Sequence, residues 1–521
     1  MVNILAIKVK STFFGIALVI LLSITAIPFP LSGDGSGVLQ QKTDPSLVTL
    51  SAEHVNDVSY VWQEINGFCH WAALSMIFQH AGAPLDLANL FAVSGVGFSS
   101  VYVRDTGFAY YRPGVWFRQV PPVGYVSELY GLNFTFFIDP DTGLGVGTAL
   151  YLEAIGTNYK PVNGESEAFT LLRNAIDEGH PLALWTDPYY LPPVDYDIIR
   201  DLNITSDVTL SGHAIVAVGY NDTAGTAKIM DPGVGAFGDE LYGYPTDGRW
   251  YYSITYTDLN DAWSALGYGS SLIKPNSEPV EDFENQLANM VCTRLLGDPV
   301  TYTPDLNDTS FFNFGANAFR RLSRDLTPSG IIQHLSEFNG LPDEREQQIA
   351  ALSRMGLVLD AGLVMQFLSF RCALQALPEL SPGLDLSTFV ALGQQALPHM
   401  EALCDNGSLI QISLDSYQSL LKDTFVGIIN SFSESGDIRS AVFEYLGELS
   451  GITWHLSAIA NAWQTAGIHL QDLLYPNPLK SLVPVALGIS LMVCITLFGV
   501  LLFRRRSRNL PLDNAETHGE Y

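Results

Sequence analysis

Apolar and polar positions divide the chain into two kinds of pattern. From about Val58 to Pro275, short β-branched and aromatic runs alternate with stretches of helical spacing. Residues 69–81 predict a helix, because Ala72, Ala73, Met76, Ile77 and His80 recur at that spacing and Gly82 follows as a stop. A second helix begins at Glu165, carries Phe169, Leu172, Ala175 and Ile176 on one face, stops at Gly179 and leads into a buried strand over 181–186. His213 opens a strand over 214–220, and a turn at 221–225 returns the chain into 227–231, which makes a hairpin with Asp231 at its far end. Further strands are predicted over 250–256 and 270–274. The mixture predicts an α+β domain over 58–275.

After Pro275 the pattern becomes helical throughout. Helices are predicted over 281–296, 311–324, 343–377 (interrupted at Gly356), 413–433 and 438–463, which makes residues 276–478 an all-α domain. No fixed-period repeat suggests a solenoid.

The ends of the chain read differently. Residues 481–503 carry no charge and are followed by Arg504, Arg505, Arg506 and Arg508, the pattern of a C-terminal transmembrane helix with a cytoplasmic tail over 504–521. Lys8 and Lys10 precede an apolar run over 12–27 that breaks at Pro28 and Pro30, so residues 1–30 read as a signal peptide or an N-terminal anchor. Residues 31–57 then form a linker or short pro-segment. Either reading of the N-terminus puts residues 31–480 outside the cytoplasm, and the expectation is a single-pass protein of the cell membrane.

At 521 residues, two folded domains are the sensible prior. The formal charge of −28 argues against nucleic acid as a partner. Asn133, Asn203, Asn221, Asn307 and Asn406 each begin an Asn-X-Ser/Thr site, as a glycosylated exterior would carry. Cysteine is too sparse for a disulfide framework; Cys292, Cys372 and Cys404 either supply one bridge or stay as buried thiols, and Cys494 falls inside the expected span.

Cys69 begins the first predicted helix after the polar turn Asn66-Gly67, so its sulfur meets the positive end of the helix dipole and its pKa is expected to fall. His213 follows Gly212 at a strand start, and Asp231 ends the partner strand, where it can accept the proton of one ring nitrogen and steady an imidazolium. Gln63, six residues before the cysteine, can offer a side-chain N–H to an oxyanion together with the Cys69 main-chain N–H. These types together suit a cysteine nucleophile, a histidine general base and acid, and a carboxylate that orients the ring. The aromatic stretch from Phe108 to Phe117 is a candidate wall for an extended peptide. No zinc spacing, phosphate loop or dinucleotide fingerprint occurs, and no metal or organic cofactor is implied.

At these residues the chain resembles the papain-like cysteine peptidases, and within them the branch around the bacteriocin-processing, double-glycine leader peptidases. Gln63, Cys69, His213 and Asp231 match the order of that superfamily, and the segments 212–220 and Met230-Asp231-Pro232 are similar to the branch in particular. The branch usually has Cys-Gly-Pro-Ala, and here the chain has Cys69-His70-Trp71-Ala72, so His70 narrows or redirects access beside the thiol. The resemblance covers about 58–275. It implies a cysteine peptidase acting on a peptide or protein substrate, with Cys69, His213, Asp231 and Gln63 as its machinery; together with the span over 481–503, the expectation is a membrane-anchored, outward-facing enzyme. The helical domain is then a spacer, a substrate-presenting platform or a surface for a protein partner. Two rivals share the fold: an acyltransferase or amidase using the same groups, and an inactive surface binding module.

Overall fold

The computed structural model describes residues 54–476 apart from 64–67, 96–97, 104–107, 114–121, 155–157, 202–204, 206–211, 235–250, 298–309, 339–344, 354, 357–358 and 405–418. The predicted signal segment, the span over 481–503, the tail, Cys494, Asn203, Asn307 and Asn406 lie outside the described residues. Among the described residues no helix is long and apolar enough to cross a membrane. The chain divides into two units after Leu470; of the second, only residues 471–476 are described.

An eight-stranded sheet organises the first half. Its path is β5 (Lys160–Pro161), β4 (Leu132–Ile138), β10 (Ser270–Pro275), β6 (Leu182–Thr186), β7 (His213–Asn221), β8 (Thr226–Met230) and β9 (Tyr252–Thr255), with β1 (His54–Val55) alongside the end of β7. All these pairings are antiparallel except β4 with β5. β7 holds the centre because both of its faces are apolar, as a strand covered on two sides requires. Ile215 and Ala217 pack with Phe169 and Leu172 of helix α2 (Gly164–Asp177) and with Trp263 of helix α3 (Tyr256–Ser264). Helix α1 (Cys69–His80) also packs on β7, and its residues from Trp71 to Phe78 are buried, so it is a core helix apolar nearly all round. At Gly219 an added Cβ would sit 2.3 Å from the His54 carbonyl oxygen, so glycine there is what lets β1 approach.

A three-stranded sheet runs β11–β2–β3, joining β2 (Phe98–Val103) and β3 (Phe108–Pro113) to β11 (Ser310–Phe314). Residues 311–314 were expected to be helical. They form β11 instead, because a segment rich in phenylalanine suits a pleated surface once β2 offers an edge to pair with; the helix α5 (Gly315–Asp325) begins only afterwards. Apart from β11, the described part of the second half is helical, with α4 (Phe283–Leu296), α6 (Leu359–Leu380), α7 (Leu420–Ser435) and α8 (Leu446–Leu474) as its long members. The interruption expected at Gly356 adjoins residues 354 and 357–358, which lie outside the described residues; at Gly356 the backbone passes so close to Phe425 of α7 that a Cβ would meet its ring at 2.2 Å. Trp463 of α8 centres this core, edge-on to Phe319 at 5.0 Å and tilted against Phe370 at 4.9 Å. Cys69, Cys292, Cys372 and Cys404 are not joined in disulfides; of the last three, Cys292 and Cys404 are buried as expected, whereas Cys372 is half-buried.

Candidate active site

Three elements bring the site together. Cys69 is the first residue of α1, whose N-cap, Phe68, supplies no side-chain cap, so the first-turn N–H groups and the helix dipole act at the sulfur. His213 is the first residue of β7, and its carbonyl accepts a hydrogen bond from Thr186 Oγ1 at 3.1 Å across the β6 pairing. Asp231 follows Met230, which pairs with Val216, so the hairpin returns the carboxylate to the start of β7.

There, His213 Nε2 lies 2.7 Å from Asp231 Oδ1. With Nε2 engaged by the carboxylate, Nδ1 is the ring nitrogen left for the thiol. Cys69 in turn interacts with His213 both by hydrogen bond and by charge. Burial pulls the His213 pKa down, but the negative charges of Asp231 and of the Cys69 thiolate, with their hydrogen bonds, outweigh it and push the pKa up to about 10. The attraction is mutual, so the imidazolium stabilises the thiolate.

Asp231 is fully buried and is held by more than the ring. Its Oδ1 accepts from Gly233 N at 2.8 Å and from Tyr196 Oη at 3.0 Å; its Oδ2 accepts from Tyr252 Oη at 3.1 Å and lies 3.1 Å from Tyr196 Oη. Tyr60 Oη donates to the Asp231 main-chain oxygen at 3.0 Å. These donors satisfy the buried carboxylate's oxygens, as burial of a polar group requires. Tyr196, Tyr252, Tyr60 and Gly233 were not anticipated. Pro232-Gly233 after the aspartate was a visible turn signal, while nothing near Tyr196 marks it in the sequence.

Gln63 is brought to the same place: its main-chain N–H donates to Pro232 O at 3.0 Å. Its side chain is buried and Oε1 accepts no hydrogen bond, an unmet polar group of the kind that functional sites retain. His70 stands edge-on to Trp185 of β6 at 5.9 Å, and Trp185 is tilted against Phe136 of β4 at 4.4 Å, so an aromatic row starts next to Cys69. Of the predicted aromatic wall, 108–113 form β3 and 114–117 lie outside the described residues. Among the described residues, no three His, Cys, Asp or Glu side chains converge as a metal site requires.

A mixed α/β sheet around a buried helix that starts in cysteine, with a histidine and an aspartate paired on the neighbouring hairpin, defines a cysteine-peptidase-like domain. Residues 55–270 match the model of the Peptidase_C39 like family, consistent with the bacteriocin-processing branch of the papain-like superfamily. The match ends before the helical region. No curated protein matches the chain.

Proposed function

We propose that the protein is a cysteine peptidase in which Cys69, His213 and Asp231 act as a triad and Gln63 serves the oxyanion. The observation that carries this reading is the coupled thiol, imidazole and carboxylate, with His213 raised to about 10 between two anions. The Cys69 thiolate attacks the substrate carbonyl carbon, and the oxyanion that forms is met by the Cys69 N–H and the Gln63 side chain. The imidazolium of His213 then gives its proton to the departing amine, the C–N bond breaks, and a thioester remains. Water attacks the thioester while His213 takes its proton, and the acid leaves with the thiol restored. The aromatic row of His70, Trp185 and Phe136 limits the substrate side chains admitted beside the thiol.

The bulk of the chain works outside the cytoplasm, tethered by residues 481–503; that rests on the charge-free run and the arginines after it. Protease added to intact cells should remove the region before residue 480 and spare the tail, and protection of the whole chain would sink this topology.

The direct test is iodoacetamide labelling of the full-length protein across pH, read at the Cys69 peptide by mass spectrometry, in wild type and His213→Ala, followed by a peptide-library cleavage assay with Cys69→Ala as control. Fast labelling below about pH 7 that slows without His213, with cleavage lost in Cys69→Ala, is the expected result. Slow labelling indifferent to His213 would overturn the peptidase reading and favour an inactive binding module.

A further inference from the structure

We infer that Tyr196 is a positioning residue of this site, a phenol that bridges the His213 ring and the Asp231 carboxylate and holds the two in register for the thiol. The inference deepens the proposed peptidase reading and rests on it.

The geometry is a closed triangle. Tyr196 Oη lies 3.0 Å from His213 Nε2 and 3.0 and 3.1 Å from the two oxygens of Asp231, while Nε2 and Oδ1 are 2.7 Å apart. A phenol has one proton and two lone pairs. Asp231 can only accept, so the proton goes to the carboxylate, and the oxygen lone pairs are left facing Nε2–H. The phenol dipole therefore puts its positive end on the anion and its negative end on the cation, stabilising both charges of the ion pair at once. Tyr252 donates to Oδ2 of the carboxylate, and Tyr60 donates to the Asp231 main-chain oxygen. Among the described residues, the other titratable partner of the ring is Cys69. The Tyr196 ring centroid stands 5.5 Å from that of His213, and the Nε2–H faces both Asp231 Oδ1 and Tyr196 Oη, so any swing of the imidazole weakens both contacts.

The loop is built to deliver this group. Tyr196 closes a one-turn helix after Pro193, and it is nearly fully buried. Arg200 reaches back over the loop, donating to Leu191 O through Nη1, and to Pro193 O at 2.9 Å and to Asp197 through Nη2. A guanidinium spanning two carbonyls of one loop fixes the segment that carries the phenol before any substrate arrives.

The test compares wild type, Tyr196→Phe, Tyr252→Phe and His213→Ala as full-length proteins, by Cys69 alkylation rate against pH and by KM and kcat on a cleaved peptide. Phenylalanine keeps the ring and the packing, so a normal melting curve separates positioning from folding. In Tyr196→Phe, alkylation at pH 6 should fall about threefold to tenfold, the scale of one lost hydrogen bond. The basic limb of the profile should move down in pH, and kcat should fall while KM stays. Tyr252→Phe should shift the basic limb less, because it leaves the contact to Nε2 in place. A Tyr196→Phe profile that overlays wild type in rate and pH, while His213→Ala is slow, overturns the inference and leaves the triad standing. Wild-type labelling no faster than in His213→Ala instead defeats the peptidase reading beneath it.

Discussion

Substituting Gly233 tests the site through space alone. Gly233 does not have a positive φ, so alanine is compatible with its backbone. An added Cβ, however, would stand 2.7 Å from His213 Cε1, 2.7 Å from Tyr196 Oη and 3.0 Å from His213 Nε2, where ordinary contact begins at 3.4 Å. Relieving the closest approach moves the imidazole by about 0.7 Å, enough to stretch the 2.7 Å bond from Nε2 to Asp231 to as much as about 3.4 Å and weaken it. An unassisted thiol, with a pKa near 8.5, is only about 0.3% thiolate at pH 6, so complete uncoupling would slow Cys69 alkylation up to about 300-fold. Partial displacement should cost about tenfold to a hundredfold, in line with the roughly hundredfold loss that a 1 Å misplacement brings in turnover. Overpacking should cost about 1–3 kcal/mol of stability, leaving a cooperative melt. The assay is site-resolved iodoacetamide labelling at pH 6 beside thermal unfolding. Gly233→Ala labelled at the wild-type rate would refute the placement of the ring against that loop.

Three other outcomes are expected. His213 has a folded pKa of about 10, above its ordinary value, so its pairing contributes stability that is full below about pH 6.5 and is lost as pH rises through about 10; the melting-temperature advantage of wild type over His213→Gln should shrink across that window, and an advantage constant with pH would contradict it. Arg294 is fully buried, donates through Nη1 to Val93 O at 2.8 Å and leaves Nε and Nη2 without partners, and burial, only partly offset by Tyr125, lowers its pKa to about 9; Arg294→Met should therefore melt at or above wild type, whereas Arg294→Ala should lose about 2–5 kcal/mol to the cavity, and equal damage from both would argue that the cation itself is needed. A chain ending at residue 275 removes β11 from β2 and α6 from residues 91–95, so it should be recovered aggregated or with broadened melting, and a sharp native melt would show that the sheet folds without them.

What was legible in the sequence is what local pattern dictates. α1 and α2 stand within a residue or two of their predicted limits, because each has an apolar face and a glycine stop, and Gly82 and Gly179 both adopt the positive φ that such stops use. The β7–β8 hairpin follows from two apolar runs about a polar turn closed by Gly225, and that hairpin is what carries His213 to Asp231. β11 was missed because its conformation belongs to its partner: Phe311, Phe312 and Phe314 suit either periodicity until β2 fixes one. The phenols around Asp231 were missed for a similar reason. Tyr196 is 35 positions from Asp231 and Tyr252 is 21, and no spacing rule connects a tyrosine to a carboxylate that only the folded chain brings near.

The family match and the folded unit have different limits, and the difference bears on how the site is held. The match stops at residue 270, yet the first unit of the chain continues to Leu470. The join is structural: β11 completes the sheet of β2 and β3, α6 packs on residues 87–95 and on β3, and Arg294 of α4 donates a hydrogen bond to Val93 O. Phe91 of that segment packs at a tilt against Phe68 at 4.6 Å and Trp71 at 5.6 Å, the residues either side of the Cys69-His70 pair. A path of direct contacts thus runs from α6 through residues 91–95 to the start of α1. Through these contacts the helical region supports the segment against which the Cys69 helix is set.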